Sequence, residues 1–192
     1  MDTAPRHLSA LQLEQGLADV LASPRDEGRL EAIVVRPASN ERKLLTTAKL
    51  TPEGGIEGDR WVNDSFFKLP DGRSDPNNQL SLMNARILRQ ISMDDEAISL
   101  AGDNLIVDLL LSEENAPAGT RLAIGDTVLI EISDLKHTGC AKFQSRYGPE
   151  ARAFVNDDRG KQLHLRGRYA RIVSGGTIAV GDVVRKVGGA GG

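Results

Sequence analysis

The chain has 192 residues, of which 40% are hydrophobic and 27% are charged, and its formal net charge at pH 7 is −3. These values are typical of one globular domain with a hydrophobic core, and they argue against a protein dedicated to binding nucleic acid. No run approaches the roughly 20 apolar residues of a membrane span, and the first residues lack the apolar core of a signal peptide. We therefore expect a cytoplasmic protein that does not enter a membrane.

Helices are predicted at three places. Apolar residues at helical spacing predict a helix over residues 8–22. Asn84 is a suitable N-cap for a short helix over 85–91, and a second short helix is predicted over 149–155.

Beyond residue 28 the sequence predicts mainly strands. Short apolar runs bounded by turn residues predict strands over 30–36, 44–50 and 79–83. The polar stretch 62–78 contains two prolines, so it is predicted to be a mobile surface loop. The glycine-rich end, 188–192, is predicted to be a flexible tail.

Two segments in the second half of the chain, 119–128 and 176–184, resemble each other. Each predicts two strands joined by a Gly-Asp hairpin turn, in which glycine tolerates positive φ. Many short strands with glycine turns and few helices predict a mainly β fold, a closed or nearly closed β-barrel. We divide the chain into an N-terminal helical extension (1–28), a barrel domain (29–187) and the tail (188–192).

The chain contains one cysteine, Cys140, shortly after the apolar run 128–132. A single thiol cannot form an internal disulfide, but it can be a nucleophile, a soft metal ligand or a persulfide carrier. The window 136–171 holds nine Lys or Arg against three acidic residues, so its charge of +6 favours the thiolate. The alternative, a cysteine that only fills space, stays open.

Other residues offer weaker signals. His137 and Cys140, with His164, could supply three zinc ligands, whereas a structural site takes four, and either histidine could activate the thiol. Arg60 follows a glycine-rich turn and either binds a phosphate or is solvated. Arg166 and Arg168 alternate with apolar residues, so they are predicted to share one strand face, either solvated or lining an anion site.

Several segments, taken in order, resemble the MOSC domain, the family named for the C-terminal domain of molybdenum cofactor sulfurase. They are residues 55–60, 79–82, 102–105, 123–126, 140–143, 165–170 and 181–182. The resemblance covers roughly 30–187 and implies a β-barrel related to the pyruvate-kinase barrel domain, with a few short helices. The chain departs from the family pattern at Trp61, where the family often has histidine, at Gly139, where it often has proline, and at Asp103, where it has glutamate.

The resemblance implies that Cys140 binds molybdenum or carries sulfur destined for it, since it occupies the family's cysteine position. Asn104 falls at a recurrent polar position near the cofactor, the anionic pterin molybdopterin. The residues expected to hold the phosphate of the pterin are Arg60, Lys142, Arg166 and Arg168. Pyridoxal phosphate is bound by a separate desulfurase domain of full-length sulfurases, and we do not expect it here because the chain has no room for that domain.

The resemblance leaves three functions to distinguish. The first is a molybdenum-dependent oxidoreductase that reduces N-hydroxylated compounds and receives electrons from an external electron-transfer protein. The second is a non-catalytic carrier of persulfide sulfur or of the cofactor, supplied by a sulfur donor. The third is a binding module in which Cys140 is merely packed.

Overall fold

The computed structural model describes residues 7–92 and 96–188, with the side chains of residues 96 and 97 excepted. The strands are β1 (Glu27–Val35), β2 (Lys43–Leu45), β3 (Thr47–Thr51), β4 (Gly55–Ile56), β5 (Leu80–Asn84), β6 (Leu105–Asp108), β7 (Arg121–Ile124), β8 (Val128–Ile132), β9 (Arg168–Ser174), β10 (Gly176–Ala179) and β11 (Val183–Val187). The helices are α1 (Ala10–Leu21), α2 (Ala85–Ser92), α3 (Ala141–Tyr147), α4 (Pro149–Asn156) and α5 (Asp158–Gln162).

Seven of these strands close into a barrel in the order β1-β11-β7-β8-β9-β5-β6, because β6 pairs with the opposite edge of β1. Only the β5–β6 contact is parallel. The short strand β2 adds to β1 outside the ring, and β3, β4 and β10 form a separate three-stranded sheet. The predicted fold class, a mainly β barrel with a few short helices, is confirmed.

The interior of the barrel is filled by every second side chain along the strands. In β8 the buried residues are Val128, Ile130 and Ile132, which share one parity and face an aliphatic core. Full burial of such a side chain contributes about 1.5–3 kcal/mol of transfer free energy. This core is largely aliphatic, as expected from a sequence with 4% aromatic residues.

A second core lies between the barrel wall and the helices. Leu13 and Leu17 of α1 pack in the same cluster as Leu88 of α2 and Phe154 of α4. The N-terminal helix predicted over 8–22 is confirmed as α1, with Ser9 as its N-cap. It is packed into the domain rather than standing apart from it.

The two short helices predicted from sequence are also confirmed, as α2 and α4. The Asn84 side chain accepts hydrogen bonds from the backbone N–H groups of Arg86 (2.9 Å) and Ile87 (3.2 Å), so it caps α2 as predicted. The helices α3 and α5 were not predicted, since each is short and charged.

Two strand predictions need correction. The predicted strand 44–50 is two strands, because β2 pairs with β1 whereas β3 pairs with β4 and β10. The first Gly-Asp segment is the predicted hairpin, β7–β8. The second is not, because β10 pairs with β3 while β11 pairs with β1 and β7.

The segment 62–78 lies at the surface, as predicted, but it is held by buried hydrogen bonds. The Asn78 side-chain oxygen accepts from Trp61 Nε1 (3.1 Å) and from Ser65 Oγ (2.9 Å). Ser74 Oγ donates to the carbonyl of Trp61 (2.8 Å). The tail prediction falls mostly on residues 189–192, outside the described residues. No helix in the described part of the chain is long and apolar enough to cross a membrane.

Candidate functional site

Cys140 is the N-cap residue of α3, and its side chain is exposed. The Cys140 thiol is not within hydrogen-bonding geometry for a helix cap. The backbone N–H groups at the start of α3 are nevertheless close enough to stabilise a negative charge on the sulfur. Burial opposes ionisation of the thiol, but the N–H groups of Phe143 and Lys142 and the charge of Arg166 outweigh it. The pKa of Cys140 therefore lies below its ordinary value. An exposed thiol with a lowered pKa does not fit the space-filling alternative.

Cys140 lies at a cavity of about 170 Å³ with a strongly basic lining. The cationic residues of the lining come from sequence-distant segments: Arg36, Arg42, Arg60, Lys142, Arg146 and Arg166. We call this space the cysteine cavity. It brings together four residues predicted from sequence, Cys140, Arg60, Lys142 and Arg166.

Half of the cations in this lining make no ion pair among the described residues. Arg42 and Arg146 donate to backbone carbonyls of Glu41 and Leu100, and Lys142 donates to the Asn40 side chain. Burial lowers the pKa of Arg42, and the charges of Arg146, Arg36 and Arg60 lower it further. The cavity therefore carries positive charge that the carboxylates in the described part of the chain do not neutralise, and a bound anion would reduce the repulsion between its cations.

Arg166 is fixed by a buried ion pair. Its guanidinium donates to Asp103 Oδ2 (2.6 Å) and to the carbonyl of Ala101 (3.2 Å), and both side chains are at most 8% exposed. Burial raises the pKa of Asp103, although Arg166 opposes this effect. A buried carboxylate here requires the guanidinium, so Arg166 has a structural role as well as a place in the cavity.

His137 also lines the cysteine cavity. It stacks on Tyr169 with ring centroids 4.3 Å apart, and its Nδ1 is 3.6 Å from Asp103 Oδ1, too far for a hydrogen bond. Burial and the charges of Arg166 and Arg36 place the pKa of His137 well below its ordinary value. His137 is therefore neutral at pH 7.

Asn104 is buried behind the cavity rather than in its lining. Its side-chain oxygen accepts from Arg36 (3.0 Å) and from the Ser81 N–H (3.1 Å), and its side-chain nitrogen donates to Asp59 Oδ2 (3.0 Å). Asp59 also accepts from the Arg36 Nε (3.0 Å). Asn104 and Asp59 thus orient Arg36 towards the cavity.

Arg168 is not brought into the cysteine cavity, in contrast to the prediction that it shares a strand face with Arg166. Residues 164–167 form a turn, with positive φ at His164 (48°) and Gly167 (108°), and the strand β9 begins only at Arg168. Arg168 shares the inward parity of β9 and pairs with Glu113 (2.7 Å). The turn separates the two arginines.

The zinc interpretation finds no support. No group of three His, Cys, Asp or Glu side chains suited to a metal ion occurs within the described ranges. His164 Nε2 lies 2.7 Å from Glu113, outside the lining of the cysteine cavity, whereas His137 is in that lining.

Sequence reasoning missed several residues of the cavity. Arg36, Arg42, Arg146, His137 and Tyr169 line it, and the sequence analysis assigned none of them to an anion site. Arg36 gave one usable signal, a charge at the end of an apolar strand and directly before a proline. Arg146 contributed only as one of the cations in the basic window 136–171, and Arg42 gave no signal because only the folded chain brings it to the cavity.

The fold and site define a class: a small protein with a closed β-barrel and one exposed thiol in the lining of a basic cavity. The family model of the MOSC domain matches residues 75–185. The chain therefore belongs to the MOSC domain family, as its sequence resemblance indicated.

Solved structures support the same fold. The YUAD protein from Bacillus subtilis is 18% identical with a TM-score of 0.59, and the match covers 82% of this chain and 94% of that one. YiiM from Escherichia coli is 20% identical with a TM-score of 0.53, covering 83% and 70%. YiiM from Geobacillus stearothermophilus is 15% identical with a TM-score of 0.54, covering 84% and 75%. No curated protein sequence matches the chain.

Proposed function

We propose that this protein binds the molybdenum cofactor in the cysteine cavity and reduces N-hydroxylated compounds, with Cys140 as the metal ligand. The observation that carries the proposal is the exposed Cys140 thiol, with its lowered pKa, in a lining that also holds cations without a carboxylate partner among the described residues, namely Arg42, Lys142 and Arg146. The family includes proteins that bind this cofactor, which makes the cavity the place to test.

The residues present fit such a group. A thiolate is a suitable soft ligand for molybdenum, and guanidinium groups match the planar, bidentate geometry of phosphate oxygens. Two guanidinium nitrogens in the walls, Arg42 Nε and Arg166 Nε, are buried without a hydrogen-bond partner in the described structure. The cavity therefore offers one soft metal ligand, the Cys140 thiolate, and guanidinium N–H groups that are free to bind an anion.

Each residue then has a defined task. Cys140 holds the metal, and Arg60, Lys142 and Arg166 hold the pterin phosphate. Bound there, the cofactor would supply the redox centre for a two-electron reduction. Asn104 acts indirectly, by orienting Arg36. Because His137 is neutral at pH 7, it is not a ready proton donor, so we expect the protons to come from solvent.

Arg168 has a different task in this proposal. It does not line the cysteine cavity, and its buried side chain pairs with Glu113 (2.7 Å). We expect it to contribute stability rather than a contact to phosphate.

A carrier is the second candidate, and the exposure of Cys140 favours it. A sulfur atom that must pass to another protein needs an accessible thiol, and a persulfide on Cys140 would meet that need. The carrier would bind sulfur or cofactor without turnover.

Turnover separates the two functions. Protein produced in a host that makes the cofactor is supplied with reduced methyl viologen and benzamidoxime, an N-hydroxylated amidine. The reductase releases benzamidine, and NADH or NADPH alone supports no reaction because the sequence has no nucleotide-binding fingerprint. Bound molybdenum without benzamidine release would contradict the reductase and support the carrier.

A further inference from the structure

A line of four aromatic rings connects the protein surface to the cysteine cavity. Phe66 contacts Phe67 edge to face with ring centroids 5.2 Å apart, and Phe67 contacts Tyr169 in the same manner at 5.8 Å. Tyr169 stacks on His137, and both of these rings line the cavity. The chain has only seven Phe, Trp and Tyr residues, so three of them in one line is a marked concentration.

The outer end of this line is fully presented to solvent. Phe66 is 91% exposed, the most exposed of the large apolar side chains in the described residues. It lines a cleft of about 100 Å³ that shares Arg36, Arg60 and Tyr169 with the cysteine cavity. Phe66 therefore lies beside the mouth of the cavity.

The backbone below Phe66 is fixed rather than free. The carbonyl of Phe67 accepts hydrogen bonds from Ser65 Oγ (2.9 Å) and from the N–H of Asp75 (3.1 Å). A single exposed apolar side chain is ordinary, but an aromatic ring on a fixed turn at a cavity mouth is a suitable anchor. Less conformational entropy is lost when a partner binds a pre-ordered anchor.

Charge indicates what kind of partner fits. The segment 60–78 has three basic and three acidic residues, so it is neutral. The cavity lining beside it is not, because Arg42 and Arg146, which the proposed function leaves without a contact to the pterin phosphate, make no ion pair with a described carboxylate. The whole chain carries −3, so its net charge repels an acidic partner while this basic face attracts one, which favours docking here in one orientation.

We infer that Phe66 and the basic mouth of the cysteine cavity form the docking surface for an acidic one-electron carrier protein. The inference rests on the proposed reductase function, which needs electrons from outside the chain. Reduction of R₂N–OH consumes two electrons and two protons and yields R₂NH and water. Two reduced carriers dock in turn, each is oxidised by one electron, and solvent supplies the protons.

The test measures binding and turnover separately, with flavodoxin and plant-type ferredoxin as acidic probes and molybdenum-loaded protein throughout. We expect either probe to bind the wild-type protein, with an affinity that falls as salt rises. Phe66→Ala should weaken binding by about tenfold or more, as for an aromatic anchor. Leu11→Ala removes another exposed apolar side chain, 68% exposed on α1, and should leave binding unchanged.

Turnover of benzamidoxime then links the surface to function. Phe66→Ala should slow the reaction driven by the acidic probe and leave the reaction driven by methyl viologen unchanged. The docking surface is wrong if neither probe binds, or if Phe66→Ala and Leu11→Ala bind alike. Absence of methyl viologen turnover in the wild type would instead contradict the reductase function, whatever the binding result.

Discussion

Asn156 and Gly139 are joined by two reciprocal hydrogen bonds. The Gly139 N–H donates to Asn156 Oδ1 (2.8 Å), and Asn156 Nδ2 donates to the Gly139 carbonyl (2.9 Å). Arg152 Nε adds a third contact to the same carbonyl (3.2 Å). The last turn of α4 thereby holds Gly139, the residue that precedes Cys140. These hydrogen bonds fix the position of Cys140 at the N-terminus of α3.

Replacing Asn156 by alanine should release this loop. We expect a loss of about 1–3 kcal/mol in the free energy of unfolding, because both backbone groups of Gly139 lose a partner. The pKa of Cys140 should rise, since the sulfur is no longer held beside the N–H groups of α3. The pH dependence of alkylation by iodoacetamide measures this pKa directly, because the chain has no other thiol.

Two controls separate position from general destabilisation. Asn156→Asp keeps the acceptor for the Gly139 N–H and should change the alkylation profile less than Asn156→Ala. Asn63→Ala removes an exposed side chain of the same type and should change nothing. An unaltered alkylation profile in Asn156→Ala would show that Asn156 does not position the thiol.

Arg60→Ala tests the anion contacts of the cysteine cavity. Arg60 is 30% exposed and pairs with an Asp64 that is 70% exposed, so its loss should cost under about 1 kcal/mol of stability. The affinity for molybdopterin, measured by titration, should fall by about tenfold, the equivalent of one charge-assisted contact. Arg171→Ala removes a guanidinium that pairs with Glu131 away from the cavity, and it should keep wild-type affinity. Equal affinity in both variants would mean that Arg60 contacts no phosphate.

The barrel could be predicted from the sequence because strand alternation and glycine turns are local signals. The failures concern non-local pairing. The turn at Gly181 and Asp182 has the residues of a hairpin, but its two strands pair with different partners. Likewise, the assumption of a continuous strand placed Arg166 and Arg168 on one face, whereas the positive φ of Gly167 ends that alternation.

The cysteine cavity was predicted in part, for a related reason. Cys140 and Lys142 are neighbours in sequence, and their basic surroundings are visible there. Arg146 lies in the same basic window, but the charges of Arg36 and Arg42 join it only when the loop after β1 meets α3 and the cysteine loop in the folded chain. No pattern in the sequence indicates that these segments lie close together, so only the folded structure shows it.

The buried pair of Arg166 and Asp103 should dominate stability near the site. Arg166→Met leaves the Asp103 carboxylate buried without its partner, and we expect a loss of about 3–5 kcal/mol in unfolding free energy. Adding Asp103→Asn should restore part of this loss, because the buried charge is then gone. Urea denaturation of the single and double variants tests the coupling, and additive losses would contradict it.

Stability should also fall in mild acid through His137. Because the pKa of His137 in the folded protein lies well below 6.5, the unfolded chain takes up a proton first as the pH falls through that value. The stabilising contribution is therefore complete above about pH 6.5 and declines below it, by up to about 1.4 kcal/mol per pH unit. Urea denaturation at several pH values should show a shallower decline for His137→Gln.

Tyr169→Phe is the matched control for this pH effect. It keeps an aromatic ring against His137 and should retain the wild-type decline. An identical decline in the wild-type protein and His137→Gln would assign the acid sensitivity to other groups.

The proposed function requires first of all that Cys140 retains molybdenum in this protein. The direct measurement is the molybdenum content of wild type and Cys140→Ser, both purified from a host that makes the cofactor, with the unfolding free energy measured alongside. We expect the metal to be lost in Cys140→Ser, with stability within about 1 kcal/mol of wild type because the side chain is exposed. A folded Cys140→Ser protein that keeps its molybdenum would contradict the claim.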